Sequence, residues 1–201
     1  MRKFDRYKII QNTPNDLPLP SEFIDPDVPL VLEIGAGTGM HPINFSKSHP
    51  EMRMIAIEKT SERFGKFKRQ YDKFPQPNLL PVHAHAVSWV AHNLEENSVD
   101  QIFVLYPNPN PKKQDLNKRW HAMPFFGYLI DLLKPNGKIV IRTNEKFYAE
   151  EAQCFMSGQW GLFTKSFEFL DSDVSEYKTL FEKKYLERGQ TCYEIMGQKT
   201  N

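Results

Sequence analysis

The sequence predicts an α/β fold in which a mainly parallel β-sheet carries helices on both faces and ends in an antiparallel strand pair. Five short, apolar, β-prone segments alternate with segments of helical periodicity. Parallel strands joined by right-handed helical crossovers are the economical arrangement for such a pattern. The first apolar segment runs directly into a glycine-rich turn. The 201 residues, of which 40% are hydrophobic, suit one compact domain that buries about 70% of its unfolded surface.

The elements follow one another in a regular order. Residues 1–29 form a proline-rich leader that we expect to lie across the surface, and residues 30–201 form a single domain. The apolar or alternating patterns predict strands at 30–34, 53–58, 79–83, 101–106 and 138–143. Helices are predicted at 40–47, from a cap at Ser61 through Tyr71, at 87–94 and at 118–133. A helix at 146–156 and strands at 162–169 and 191–196 follow, the two strands forming an antiparallel hairpin at the sheet edge.

Composition excludes several classes of protein. The net charge of +1 is far from that of a histone-like polycation. Cys154 and Cys192 are distant in sequence, so neither a disulfide framework nor a four-cysteine zinc site is predicted. His83 and His85 have no third ligand nearby, and we expect no metal. Neither a signal peptide nor a span of about 20 apolar residues is present, which predicts a cytoplasmic protein without membrane contact.

The segment VLEIGAGTG at 31–39 combines a buried strand with a tight glycine turn. Gly35, Gly37 and Gly39 allow the backbone to turn sharply and to approach a ligand without intervening side chains. The spacing lacks the GKS or GKT of a phosphate-binding loop and the third glycine of GxGxxG. The pattern therefore predicts a nucleoside site of Rossmann-like type. A glycine-rich turn with no ligand is the alternative.

Glu58 ends the second predicted strand about twenty residues beyond the glycines. A carboxylate at this position accepts hydrogen bonds from both hydroxyls of an adenosine ribose and repels a 2′-phosphate. A solvated glutamate at a surface turn is the alternative interpretation. Together with the missing phosphate motif, Glu58 favours S-adenosylmethionine, which carries a ribose but no pyrophosphate, over NAD.

Five segments, taken in order and spacing, resemble the tRNA (guanine-N7)-methyltransferase family. They are 31–39, IAIEKT at 55–60, YPNPNPKKQDLNKR at 106–119, RTNEKFYA at 142–149 and TLFE at 179–182. The likeness covers residues 30–195. It implies a Rossmann-like class I methyltransferase that transfers a methyl group from S-adenosylmethionine to guanine N7 in the variable loop of tRNA.

The motifs and the resemblance together assign the site residues. The expected cofactor contacts are Glu33, Gly35, Gly37, Gly39, Glu58, Lys59, His85, Ala86 and Tyr106. We expect Asn108 at the methyl-transfer centre. The expected RNA contacts are Lys112, Lys113 and Arg119, and the expected base contacts are Asn144, Thr179 and Glu182.

Three of these positions depart from the family pattern. His85, Asn108 and Asn144 stand where the family typically has aspartate. Guanine N7 is a bare lone pair, so catalysis needs alignment and charge stabilisation but no general base. Loss of one charge-assisted contact at Asn108 costs about 1.5–3 kcal/mol, roughly 10–150-fold in rate. Asn144 offers one acceptor oxygen where a carboxylate offers two, and Glu182 is the substitute acceptor.

Local charge favours a polyanionic partner. Residues 112–119 contain four basic residues and one acidic residue, and residues 59–73 contain six basic and two acidic residues. Such clusters neutralise phosphates and make binding salt-dependent, although a solvated face explains the second cluster equally well. Two alternatives remain open, a small-molecule methyltransferase of the same fold and a non-catalytic module that binds RNA or cofactor. A monomer and a homodimer are both compatible with the sequence.

Overall fold

The fold is given by a computed structural model that describes residues 3–200, which form a seven-stranded sheet flanked by helices. The strands are β1 (Leu30–Ile34), β2 (Arg53–Glu58), β3 (Leu79–His83), β4 (Val99–Leu105), β5 (Leu133–Thr143), β6 (Phe163–Phe169) and β7 (Cys192–Gln198). The α-helices are α1 (Arg6–Asn12), α2 (Met40–Ser48), α3 (Ser61–Lys73), α4 (Ala86–Asn93), α5 (Pro124–Leu132), α6 (Lys146–Cys154) and α7 (Leu180–Leu186).

The strand order is β3-β2-β1-β4-β5-β7-β6. The first five strands are parallel, and β7 runs antiparallel to both β5 and β6. This arrangement confirms the predicted fold class. The chain moves outward from β1 to β3 and then returns to pair β4 with β1, so the strand order reverses at β1 and β4. In open α/β sheets, ligands bind beyond the carboxyl ends of the strands at such a reversal.

Two apolar layers cover the sheet. One layer lies under α4, α5 and α6 and includes Trp89, Phe126 and Tyr148. The other lies under α2 and α3 and includes Phe67 and Phe103. All five residues of β1 are buried, as expected for a central strand covered on both faces.

The proline-rich leader contains a helix that the sequence analysis did not predict. Helix α1 begins after Asp5, whose side chain accepts a hydrogen bond from Lys8 N. The leader then follows α4, where the Trp89 indole donates to Leu17 O at 2.8 Å. Arg6 donates to Ala91 O and forms a bidentate ion pair with Glu95.

The helix predicted at 118–133 was too long at its start. Helix α5 has Pro124 at its first position, and the preceding residues 113–118 and 120–122 form 3₁₀ turns. Proline lacks an N–H and its ring clashes with the carbonyl of the preceding turn, so it is tolerated at the first position and not inside a helix. Two smaller differences concern element boundaries. The N-cap position of α3 is Thr60 rather than Ser61, and β5 begins at Leu133 rather than at the predicted residue 138.

Candidate functional site

The glycine turn after β1 separates into two parts with different surroundings. Gly35, Gly37 and Gly39 all have positive φ, at 80°, 59° and 84°. A Cβ added at Gly35 or Gly37 meets no atom within 4 Å. A Cβ at Gly39 would lie 2.0 Å from Cδ2 of Phe67. The first two glycines therefore border open space that a ligand can occupy, whereas Gly39 allows α2 to pack against α3.

Glu58, the last residue of β2, is hydrogen-bonded to this turn. Its two carboxylate oxygens accept hydrogen bonds from Gly37 N at 2.9 Å and from Thr60 N at 2.7 Å, and only 4% of the residue is exposed. Each carboxylate oxygen has a second acceptor site. The backbone donors hold the carboxylate in one orientation beside the open space at Gly37, which fits the predicted contact with ribose hydroxyls.

The carboxyl ends of the parallel strands β2 and β3 lie at the same edge of the sheet. Lys59 is exposed directly after β2, and His85 is the N-cap residue of α4. Partial burial, together with the positive charge of Lys59, lowers the pKa of His85. A lowered pKa favours the uncharged imidazole, which suits the contact with an adenine ring that the sequence predicts for His85. Ala86, the next residue, is buried.

Glu33 is engaged by a side chain of α2. It is buried on the α2 face of β1, where one carboxylate oxygen lies 2.6 Å from Nδ1 of the buried His41. A cofactor contact was predicted for Glu33, and no role was predicted for His41. In the structure the pair ties the first turn of α2 to β1, beneath the glycine turn.

The loop that follows β4 begins with a strained residue. Tyr106 has a φ of 50°, which is uncommon for a residue other than glycine. Its hydroxyl donates to Oε2 of Glu182 at 2.9 Å. Asn108 is exposed, and its side-chain oxygen accepts from Asn110 N at 3.2 Å. The Asn108 amide is thus held at the surface of the loop.

Glu182 is enclosed by protein groups. It has no exposed surface, and besides Tyr106 it accepts from Arg142 Nη1 at 2.8 Å and from Lys178 N at 2.9 Å. Glu182 N donates to Thr179 Oγ1 at 3.0 Å, so Thr179 caps α7. The resemblance assigned both residues to the base. In this structure Thr179 caps α7, and Glu182 links α7 to Tyr106 at the start of the loop. The role of Arg142 was not predicted, although it interrupts an apolar strand.

The remaining predicted substrate residues divide into exposed and buried ones. Lys112 and Lys113 are exposed on the loop, and Asn144 is partly exposed after β5. Arg119 is only 5% exposed and is bonded to Glu151 and to loop carbonyls. In this structure the donors of Arg119, which we expected to contact RNA, are engaged by groups of the protein itself.

His121, next to this cluster, makes folding stability pH-dependent. It is buried, its Nε2 lies 2.7 Å from a Glu151 oxygen, and burial lowers its pKa from 6.5 although Glu151 opposes the shift. The folded state therefore takes up this proton at lower pH than the unfolded state does. The contribution of His121 to the free energy of unfolding is fully present above the pKa that the residue has in the unfolded state. It is lost as the pH falls from about 7 towards the lower pKa of the folded state.

We expect the free energy of unfolding to fall between pH 7.5 and pH 5.5. The largest slope that one proton can give is about 1.4 kcal/mol per pH unit. His121→Gln retains an N–H donor for Glu151 but has no proton to take up, so its slope should be smaller. Urea denaturation at several pH values measures both slopes, and equal slopes would exclude His121 as the source.

Among residues 3–200, no group of three or more His, Cys, Asp or Glu side chains is arranged so that it could hold a metal ion. Within the same range, no helix is long and apolar enough to cross a bilayer.

Comparisons with known proteins agree on one family. The family model described as "Putative methyltransferase" matches residues 27–195. A tRNA (guanine-N(7)-)-methyltransferase of Enterococcus faecalis is 30% identical over 173 residues, which cover 83% of this chain and 78% of that protein. The enzyme of the same name from Nitrosomonas eutropha is 27% identical and is matched over 85% of this chain and 76% of its own length.

Solved structures agree on the fold. An antibiotic-related methyltransferase superposes with a TM-score of 0.67 at 16% identity and covers 98% of this chain and 96% of its own. A 16S rRNA (adenine(1408)-N(1))-methyltransferase solved with its cosubstrate S-adenosylmethionine gives 0.64 at 12% identity, covering 100% and 93%. The chain therefore belongs to the tRNA (guanine-N7)-methyltransferase family of S-adenosylmethionine-dependent enzymes and has the class I methyltransferase fold.

Proposed function

We propose that this protein transfers the methyl group of S-adenosylmethionine to N7 of a guanine in tRNA. One observation carries the proposal. The loop with the spacing particular to the family starts at the carboxyl end of β4, next to the open glycine turn on β1, and it exposes Asn108, Lys112 and Lys113. The glycine turn and a basic loop thus lie side by side at the reversal of the strand order, which supports a cofactor site next to a base-contacting loop. The names of the relatives support the same substrate.

The residues beside the glycine turn would hold the cofactor. Gly35 and Gly37 leave room for it, and Glu58 is oriented to accept hydrogen bonds from its ribose. Bound there, S-adenosylmethionine supplies a methyl group on a positively charged sulfur. Because N7 attacks with a free lone pair, the protein needs to align the two partners and to stabilise the moving charge. The neutral loop residue Asn108 can do both only through hydrogen bonds.

Asn108→Asp should therefore keep or raise the rate of methyl transfer. The carboxylate retains an oxygen for Asn110 N and adds a negative charge beside the purine as it becomes cationic. A charge-assisted contact is worth about 1.5–3 kcal/mol, so kcat should lie between the wild-type value and a value roughly 10–150-fold higher. Single-turnover kinetics on unmodified tRNA measure the rate. Collapse of activity would show that the amide itself is required.

Lys112 and Lys113 should bind phosphates of the RNA. The logarithm of the tRNA-binding constant falls with the logarithm of the salt concentration. Replacing either lysine by alanine should reduce the magnitude of this slope by about one, because fewer counterions are released. Lys47, an exposed residue at the far end of α2, provides a matched control whose replacement should leave the slope unchanged. An unchanged slope for both loop variants would remove this loop from the RNA interface.

The decisive experiment is methyl transfer itself. The protein is incubated with labelled S-adenosylmethionine and unmodified tRNA, and the product is mapped by strand cleavage specific for 7-methylguanine. Label on other atoms would overturn the assigned acceptor. Turnover of a small acceptor without salt dependence would favour a small-molecule enzyme, and cofactor binding without transfer would favour a binding module.

We also propose a cytoplasmic location. Both cysteines are free, which a reducing compartment would maintain. Fractionation of cells that express the protein tests this.

A further inference from the structure

The loop after β4 is bound by a single buried guanidinium. Arg119 donates from Nε to Asn110 O at 3.1 Å, and from Nη2 to Pro111 O at 3.3 Å and to Lys112 O at 3.4 Å. Its Nη1 lies 2.7 and 2.6 Å from the two oxygens of Glu151. One side chain thus contacts three consecutive loop carbonyls and a carboxylate on α6.

The composition of the loop explains why it needs such a contact. Pro107, Pro109 and Pro111 have no backbone N–H, so the loop cannot form a regular hydrogen-bond ladder. Asn110 has a φ of 44°, in the left-handed region, which asparagine tolerates better than most residues with a side chain. The five donors of a planar guanidinium can bind several carbonyls and a carboxylate at once, whereas an ammonium has no such geometry.

Glu151 is itself fixed. Its Oε2 also lies 2.7 Å from Nε2 of the buried His121, and the ring of Phe147 lies 5.3 Å below the Arg119 guanidinium. Arg119 and His121 hold the pKa of Glu151 below its ordinary value although burial opposes this. The carboxylate is therefore a charged, immobile anchor on α6.

The other end of the loop is anchored independently. Tyr106 is bonded to Glu182, as described above. Asn108 and Lys112 lie between the two anchors. An error of about 1 Å in the position of a group that aligns reactants can lower a rate about 100-fold, so the contact made by Arg119 has a direct consequence for catalysis.

We propose that Arg119 is a positioning residue for methyl transfer. Through Glu151 it holds residues 107–112 in the geometry in which Asn108 meets the base, and it does not itself touch RNA. This proposal rests on the proposed function.

The test uses Arg119→Lys and Glu151→Gln in the full chain. Arg119→Lys keeps the charge and loses the planar set of donors, and Glu151→Gln keeps the shape of the anchor and loses its charge. For both variants we expect kcat for tRNA methylation to fall about 100-fold, with KM for tRNA and Kd for S-adenosylmethionine within about 3-fold of the wild-type values. Adding methylguanidine to Arg119→Gly should restore part of the lost kcat.

Arg6→Lys is the matched control. Arg6 forms a similar bidentate pair with Glu95, with both distances 2.7 Å, and also donates to a backbone carbonyl. It lies on α1, which packs against α4, away from the loop. Its replacement should affect thermal stability without changing kcat.

Hydrogen exchange separates failure of this proposal from failure of the proposed function. Amides of residues 108–118 should exchange faster in Arg119→Lys and Glu151→Gln than in the wild type, whether or not tRNA is the substrate. A higher KM, a weaker salt dependence and an unchanged kcat in Arg119→Lys would show that Arg119 binds RNA and would overturn the proposal. Unchanged exchange would overturn it as well. If Arg119→Lys does not fold, Glu151→Gln decides by the same readouts.

Discussion

Gly39→Ala is expected to destabilise the protein severely, and Gly37→Ala is expected to leave it folded. At Gly39 the new Cβ would lie 2.0 Å from the fully buried ring of Phe67, and φ is 84°. A left-handed conformation costs a residue with a side chain about 1–2 kcal/mol. Overpacking a core adds about 1–3 kcal/mol or more. A total loss of about 2–5 kcal/mol is a large fraction of the stability of a typical domain.

Gly37→Ala tests the binding role of the same turn. Its Cβ meets no protein atom within 4 Å, so only the backbone strain of about 1–2 kcal/mol is expected. The methyl group would project into the space that we propose for the cofactor. Binding of S-adenosylhomocysteine, measured by calorimetry, should weaken by at least about 10-fold.

Urea denaturation of the two variants completes the comparison. Wild-type stability of Gly39→Ala would show that α2 and α3 do not pack as described. Normal affinity of Gly37→Ala would show that the cofactor does not lie against the turn.

Glu182→Ala is expected to have the second large effect. The carboxylate is completely buried and accepts from Tyr106, Arg142 and Lys178 N. Removing one partner of a buried ion pair costs about 3–5 kcal/mol because the other groups lose their partners without regaining water. Release of the Tyr106 hydroxyl should also loosen the start of the loop and lower kcat.

Glu194→Ala is the control for Glu182. Glu194 binds the same guanidinium, from Nε of Arg142 at 2.6 Å, but its side chain is 23% exposed. Water can replace part of this contact, so a smaller loss in the free energy of unfolding is expected. If Glu182→Ala instead kept its stability and raised only KM for tRNA, Glu182 would be a base contact, as the family resemblance implies.

Sequence patterns predicted the strands better than the helices. The predicted bounds of β1, β2 and β3 match the structure, because short apolar or alternating segments between turns indicate strands. For the helix after the proline-rich loop, the predicted end at residue 133 lies within one residue of the observed end at Leu132. Its start was wrong because the backbone restriction of Pro124 outweighs the pattern.

The candidate site was predictable where one structural role favours one residue type, as positive φ favours glycine. The positive φ values of the glycines and the position of Glu58 at the end of β2 follow from local chemistry. Arg119 was different, because a count of local charge treats it as one of several surface cations. Its carboxylate partner lies 32 residues further along the chain, and no spacing rule connects the two.

The amino-acid sequence by itself determined the sheet, the glycine turn, the family and the basic loop, because each depends on residues that are close together in the chain. Only the tertiary structure decided which charged groups face solvent and which form ion pairs or hydrogen bonds within the protein. Glu33, Glu182 and Arg119 are buried in ion pairs or hydrogen bonds with side chains from other elements. Burying a charge is unfavourable unless it is paired, and the partner is supplied by the packing of distant segments.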